Sequence, residues 1–213
     1  MELGIDILAM LFAAAFIAAF IDAIAGGGGL ITIPALLMTG MPPAMALGTN
    51  KLQAFGGALS ASIYFLRKRA VNLSEFSFIL LVIFIGSVIG TLLIQNLDAS
   101  LIKKGLPFLI LAIGLYFLFT PKLGESDRKQ RISYAVFALC VGSLLGFYDG
   151  FFGPGTGSLM NLACVTLLGF NLTKATAHAK VMNLTSNIAS LIFFLIGGHV
   201  IWTVGLVMMA GSL

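Results

Sequence analysis

Long apolar runs separated by short polar gaps dominate the chain, at 7–25, 44–66, 76–96, 103–120, 132–150, 174–196 and 199–213. A helix that crosses the hydrocarbon layer needs about 20 largely apolar residues, so each run predicts a membrane-spanning helix. Strands are not expected, because the two-residue alternation of a barrel is absent and an unbroken apolar run satisfies its own backbone only as a helix. Two further apolar stretches, 30–39 (LITIPALLMT) and 158–168 (SLMNLACVTLL), are too short to cross. Each follows a glycine-rich break, AGGGGL at 25–30 and GPGTGS at 153–158, and reads as a half-helix that begins inside the membrane. The fold class is an all-α polytopic membrane protein.

Composition agrees with a lipid solvent. Only 9% of the 213 residues are charged, against roughly 25% in soluble domains, and 59% are apolar with a mean hydropathy of +1.07. The net charge of +4 does not argue for nucleic acid, since the 12 cations are scattered between apolar blocks and form no phosphate-tracking patch. Cys140 and Cys164 lie in apolar runs without metal-ligand spacing and read as free, buried thiols. Neither a metal nor a cofactor is expected. The N-terminus carries Glu2 and Asp6 but no Lys or Arg, so its first apolar run reads as a retained span and not as a secretory signal. Most charges fall in the gaps. Arg67, Lys68, Arg69 and the loop PKLGESDRKQR at 121–131 are separated by two spans and should share the cytoplasmic side, which puts Lys103 and Lys104 on the other. The side of the N-terminus stays open.

Self-comparison divides the chain into a first repeat (1–120), a hydrophilic connection (121–131) and a second, incomplete repeat (132–213). FIDAIAGGG at 20–28 lies over FYDGFFGPG at 147–155, placing Asp22 on Asp149, Gly26 on Gly153 and Gly28 on Gly155. GMPPAMALGTNKLQ at 40–53 lies over GFNLTKATAHAKVM at 169–182, placing Gly40 on Gly169 and Lys51 on Lys180. Gly86-Ser87-Val88 matches Gly211-Ser212-Leu213. Relative to a second half equal to the first, the chain stops roughly 30 to 45 residues early. The expectation is therefore a C-terminally truncated chain whose last helix packs poorly.

Four charges sit within apolar spans as two repeat-related pairs, Asp22 with Asp149 and Lys51 with Lys180. Each would cost about 2.5 to 3.5 kcal/mol in hydrocarbon, so each should face a protein interior or a wet cavity. An Asp–Lys ion pair that merely fixes helix packing is one reading. In the other, the lysines compensate an anion while the aspartates order the glycine loops or exchange a proton. The glycine breaks favour the second, because a helix that starts inside the membrane turns unpaired N–H groups and its positive dipole end toward an anion. The candidate binding set is Gly26, Gly27, Gly28, Gly29, Thr49, Asn50 and Lys51 in the first half, with Gly153, Gly155, Thr156, Gly157, Lys180 and Asn183 in the second. Asp22, Asp149 and His178 are candidates for coupling or structural charge. Lys180, Asn183 and Asn187 share one helix face, Gln53 extends the polar pattern, and His199 with Trp202 reads as an interface anchor.

The motif D-x-I-A-G-G-G-G-L-x-x-x-P at 22–34, with Gly48 to Lys51 after it, resembles the sulfite exporter TauE/SafE family. FYDGFFGPGTGS and ATAHAKVMN are similar to the second half of its YfcA-type branch. The resemblance covers essentially the whole chain. It implies an inner-membrane carrier of about eight spans, built from two homologous halves, that moves small anions such as sulfite, sulfonates or related organic acids, with the proton as a coupling ion. The expected partners are thus a small anion, the bilayer and a proton, with a homo-oligomer left open. Two other readings remain. One is an intramembrane serine hydrolase using Ser158 and His178, with backbone amides as an oxyanion hole. The other is a passive channel, which differs from a carrier in rate more than in sequence.

Overall fold

The computed structural model of the protein describes residues 4–24, 27–119 and 127–213. Gly26, Glu2 and most of the connecting loop lie outside the described residues. The first half contains α1 (Ile5–Ile24), α2 (Gly29–Met38), α3 (Pro43–Arg67), α4 (Leu73–Gln95) and α5 (Ala99–Phe119). The second begins with α6 (Tyr134–Val136), which passes through a π-helical stretch (Phe137–Gly142) into α7 (Ser143–Phe151) as one rod. It continues with α8 (Thr156–Leu167), α9 (Leu172–Ile196) and α10 (Trp202–Ser212). All the described elements are helices. Every predicted span and both half-helices fall on one of them. Four rods, α1, α4, α6 to α7 and α9, are long and apolar enough to cross a membrane.

Local chemistry explains the boundaries. Pro43 opens α3, where its missing N–H costs nothing. Asn72 and Asn171 cap α4 and α9 by accepting from the amides of Ser74 (3.2 Å) and Lys174 (2.9 Å). Gly40 and Gly169, with φ of +81° and +74°, turn the chain just after the two half-helices, as left-handed residues do at helix ends.

The packing is inverted relative to a soluble protein. Phe16, Phe20, Leu81, Ile85 and Leu144 are exposed, whereas Ser87, Thr91, Ser186 and Ser190 are buried. Without a hydrophobic drive between helices, close contact depends on small residues and interhelical hydrogen bonds. Helices α4 and α7 meet through Gly86 and Gly90 on one side and Gly146 and Gly150 on the other. A Cβ on Gly86 would stand 2.6 Å from the Ser143 carbonyl oxygen, and one on Gly150 would strike the Ser87 carbonyl. The Ser87 hydroxyl donates to the Ser186 carbonyl of α9 at 2.8 Å.

Two expectations are corrected here. α10 does not pack poorly: it lies against α1 and α3, with Val204 and Met208 buried beside Leu11 and Leu36. Cys140 is exposed on the apolar outer face, while Cys164 is buried as expected. Helical phase separates them, since an apolar span has a lipid-facing side on which a cysteine is as acceptable as leucine.

Candidate functional site

The two lysine-bearing helices are built alike. Helices α3 and α9 each have 25 residues, and Lys51 and Lys180 each occupy the ninth position. Asp22 and Asp149 lie in the last turns of α1 and α7, where the final carbonyls lack helical partners and the dipole end is negative. An ammonium group fits such an end. The Lys51 ammonium donates to the Asp149 carboxylate at 2.7 Å and to its main-chain carbonyl at 2.6 Å. Lys180 does the same at Asp22, at 2.6 Å and 3.1 Å. Each lysine thus pairs with the aspartate of the other half.

The glycine breaks lie beside these pairs. Gly27 and Gly153 have φ of +94° and +91°, a region open to glycine, and their carbonyls accept from Leu30 and Thr156 to close the turns that start α2 and α8. The first break is held by Asp22, whose second carboxylate oxygen accepts from the Gly28 amide at 3.2 Å. In the second, the Tyr148 hydroxyl donates to the Pro154 carbonyl at 2.6 Å and Thr156 donates to Gly153. The breaks face each other: a Cβ on Gly29 would lie 3.3 Å from the Pro154 Cα.

Both breaks border one cavity of about 470 Å³. Of the residues expected from sequence, Asp22, Gly27, Gly28, Gly29, Asn50, Lys51, Asp149, Gly153, Gly155, Thr156, Gly157, Lys180 and Asn183 line it. Gln53 and Asn187 line it too. Asn50 also accepts from Thr32 at 2.5 Å, tying α2 to α3. Helix α9 adds Thr176, Asn183 and Asn187 beside Lys180, and α3 adds both polar residues, Asn50, Gln53 and Ser60, and the small Ala54, Ala58 and Ala61. Ala18 and Thr176 were not anticipated, although each stands four residues before a paired charge and so on the same helix face.

Two expected residues lie elsewhere, and Gly26 is outside the described residues. The Thr49 hydroxyl accepts from the Ile201 amide at 3.0 Å, which secures the start of α10. The His178 ring sits between Phe76 and Phe170, each 4.7 Å away, with Nδ1 at 2.7 Å from the Lys174 carbonyl. It has no part in the cavity wall, which leaves the serine hydrolase reading without geometric support. His199 is less an interface anchor than a helix link, with Nδ1 at 2.9 Å from the Gln95 amide oxygen, although its neighbour Trp202 is exposed. The lysines are not bare counter-charges either: two cations and two carboxylates make the cavity formally neutral.

Comparison with known proteins gives this geometry a context. The family model described as "Sulfite exporter TauE/SafE" matches residues 11–213. A "Probable membrane transporter protein" of Haemophilus influenzae is 75% identical over 213 residues, covering 100% of this chain and 84% of that protein. "Probable membrane transporter protein YfcA" of Escherichia coli (strain K12) is 56% identical over 206 residues, covering 97% of this chain and 77% of the relative. At greater distance, "Probable membrane transporter protein YunE" of Bacillus subtilis is 23% identical, over 87% of this chain and 77% of its own length. No solved structure matches. With the family model covering nearly the whole chain and such close relatives, the protein belongs to the TauE/SafE family of membrane transporters.

Proposed function

We propose that the protein is a secondary transporter of small anions in the bacterial inner membrane, sulfur-containing anions such as sulfite and sulfonates foremost. The observation that carries this reading is the convergence of both glycine breaks and both intramembrane lysines on one cavity of about 470 Å³. That volume lies within the range of small-ligand pockets, about 300 to 1,000 Å³. The starts of α2 and α8 and two ammonium groups border it, and such groups favour an oxyanion. The doubled succession of long helix, glycine break, half-helix and long helix, with ion pairs crossing between halves, supports descent of the two halves from one duplicated unit.

A formally neutral cavity also bears on coupling. An anion entering alone would leave uncompensated negative charge in a low-dielectric interior, at a cost that an accompanying proton removes. This supports the proton as the coupling ion. The test is flux into proteoliposomes of sulfite, thiosulfate, sulfonates and short carboxylates, with and without a pH gradient. Saturable, gradient-dependent flux is expected, and non-saturable flux would point to a channel. Lys180→Gln should reduce flux about 10- to 100-fold, the worth of a charge-assisted hydrogen bond, and Lys51→Gln at least as much, because it also leaves the buried Asp149 without its partner, while both variants still insert. Unchanged flux in both variants refutes the site.

A further inference from the structure

We propose that Asp22 is a placeholder anion: its own carboxylate occupies the ammonium and the loop amide that the transported anion takes over once Asp22 has accepted a proton. The proposal rests on the anion-transport reading above and adds the residue that exchanges with the cargo.

The two carboxylate oxygens of Asp22 are used separately. One accepts from the Lys180 ammonium at 2.6 Å and the other from the Gly28 amide at 3.2 Å. Gly28 directly precedes α2 and its amide lies at the positive end of that helix's dipole. Bridging an ammonium and a backbone amide with two oxygens on one central atom is the contact a sulfonate, a sulfite or a carboxylate would make. The chain therefore carries in this place a tethered copy of the chemical group it is proposed to transport. Such a copy competes with the cargo for the same donors, and a site filled by its own anion binds another only when the first is released.

The two ion pairs are not equivalent in access. Lys51 and Asp149 are 3% and 2% exposed, so that pair is enclosed by protein, whereas Lys180 and Asp22 are 15% and 36% exposed. Of the two, the second is the more accessible and the better placed to exchange its partner. The other ionisable groups on the cavity wall are Lys51 and Tyr64 from α3, Lys180 from α9 and Asp149 from α7. The wall residues of α2, α8 and α10, namely Gly29, Thr156, Gly157 and Ser212, carry none.

The charges balance. A carboxylate paired with an ammonium is neutral. When an anion and a proton arrive together, the proton adds to Asp22, the Lys180–Asp22 ion pair breaks, and the anion forms the new ion pair with Lys180 and accepts from Gly28. The site is neutral before and after, and one proton travels with each anion.

Ethanesulfonate is a suitable probe, because a sulfonate keeps its charge across the working range and any pH response then belongs to the protein. In the purified protein its Kd should rise about tenfold per pH unit while binding takes up one proton. Asp22→Asn removes the competitor, so binding at neutral pH should tighten about tenfold or more and lose its pH dependence. A residue that merely supports the loop would give the opposite result, weaker binding. Weaker binding, or a retained pH slope, in the folded variant overturns the placeholder and leaves the transport reading standing. Failure of the unmodified protein to bind or carry either ethanesulfonate or sulfite overturns both. If the variant does not fold, proton uptake by the unmodified protein decides in weakly buffered solution: one proton taken up per anion bound upholds the proposal, and none overturns it.

Discussion

Lys51 and Asp149 are nearly inaccessible and lie at the junction of the two halves, with the ammonium held by both the carboxylate and the carbonyl of one residue. Removing one member of such a pair leaves the other buried without a partner, which costs about 3 to 5 kcal/mol. Asp149→Asn should therefore lower thermal stability in detergent clearly, and the exchange Lys51→Asp with Asp149→Lys should recover part of the loss. A thermal shift of the single variant equal to that of the parent would contradict this role. At this scale the sequence was legible for charges and misleading for their neighbours. Thr49 and His178 both stand two residues before a lysine, and two residues turn a helix by about 200°. Their side chains consequently point away from the face that carries the ammonium, toward α10 in one half and toward Phe76 and Phe170 in the other. The residues at three and four positions from a lysine, Asn183 and Thr176, do reach the cavity.

Element boundaries were readable from hydropathy because burial in lipid selects for an uninterrupted apolar length. The glycine breaks were readable as well, since half-helices of ten and twelve residues cannot span. Partners were not readable. Gly86 and Gly90, like Gly146 and Gly150, have the four-residue spacing that lets helices approach closely, but nothing in either segment names the other. The difference between a contact glycine and a spare one follows from the tertiary structure. Gly90→Leu should abolish the folded monodisperse species in size-exclusion chromatography, because even a Cβ there meets the Phe147 carbonyl. Gly105→Ala in α5, where a Cβ would meet nothing within 4 Å, should instead raise stability by up to about 1 kcal/mol. Equal behaviour of the two variants would contradict the assigned α4–α7 interface.

Across the whole molecule, the broken loops meet back to back on one side of the cavity, and transport by alternating access requires the halves to move against each other. Gly29 and Pro154 are near enough to be bridged by a disulfide, the virtual Cβ of one standing 3.3 Å from the Cα of the other. In a background with Cys140 and Cys164 replaced by alanine, the pair Gly29→Cys and Pro154→Cys should crosslink on mild oxidation. Flux should then stop and return on reduction. Undiminished flux in the crosslinked protein would show that the loops do not separate during the cycle.

What the chain determined by itself was its apolar character, the placing of its helices, its two breaks and the presence of four charges that need partners. All of these follow from local terms: the free energy of placing each residue in lipid, and the geometry that glycine permits. Which lysine meets which aspartate was decided only in three dimensions, across separations of 98 and 158 residues. A charge in an apolar span states that it requires a counter-charge without saying where. The pairing depends on how the helix ends of one half dock against the lysine helix of the other, and that docking also turned two expected counter-charges for cargo into ion pairs already filled by the chain.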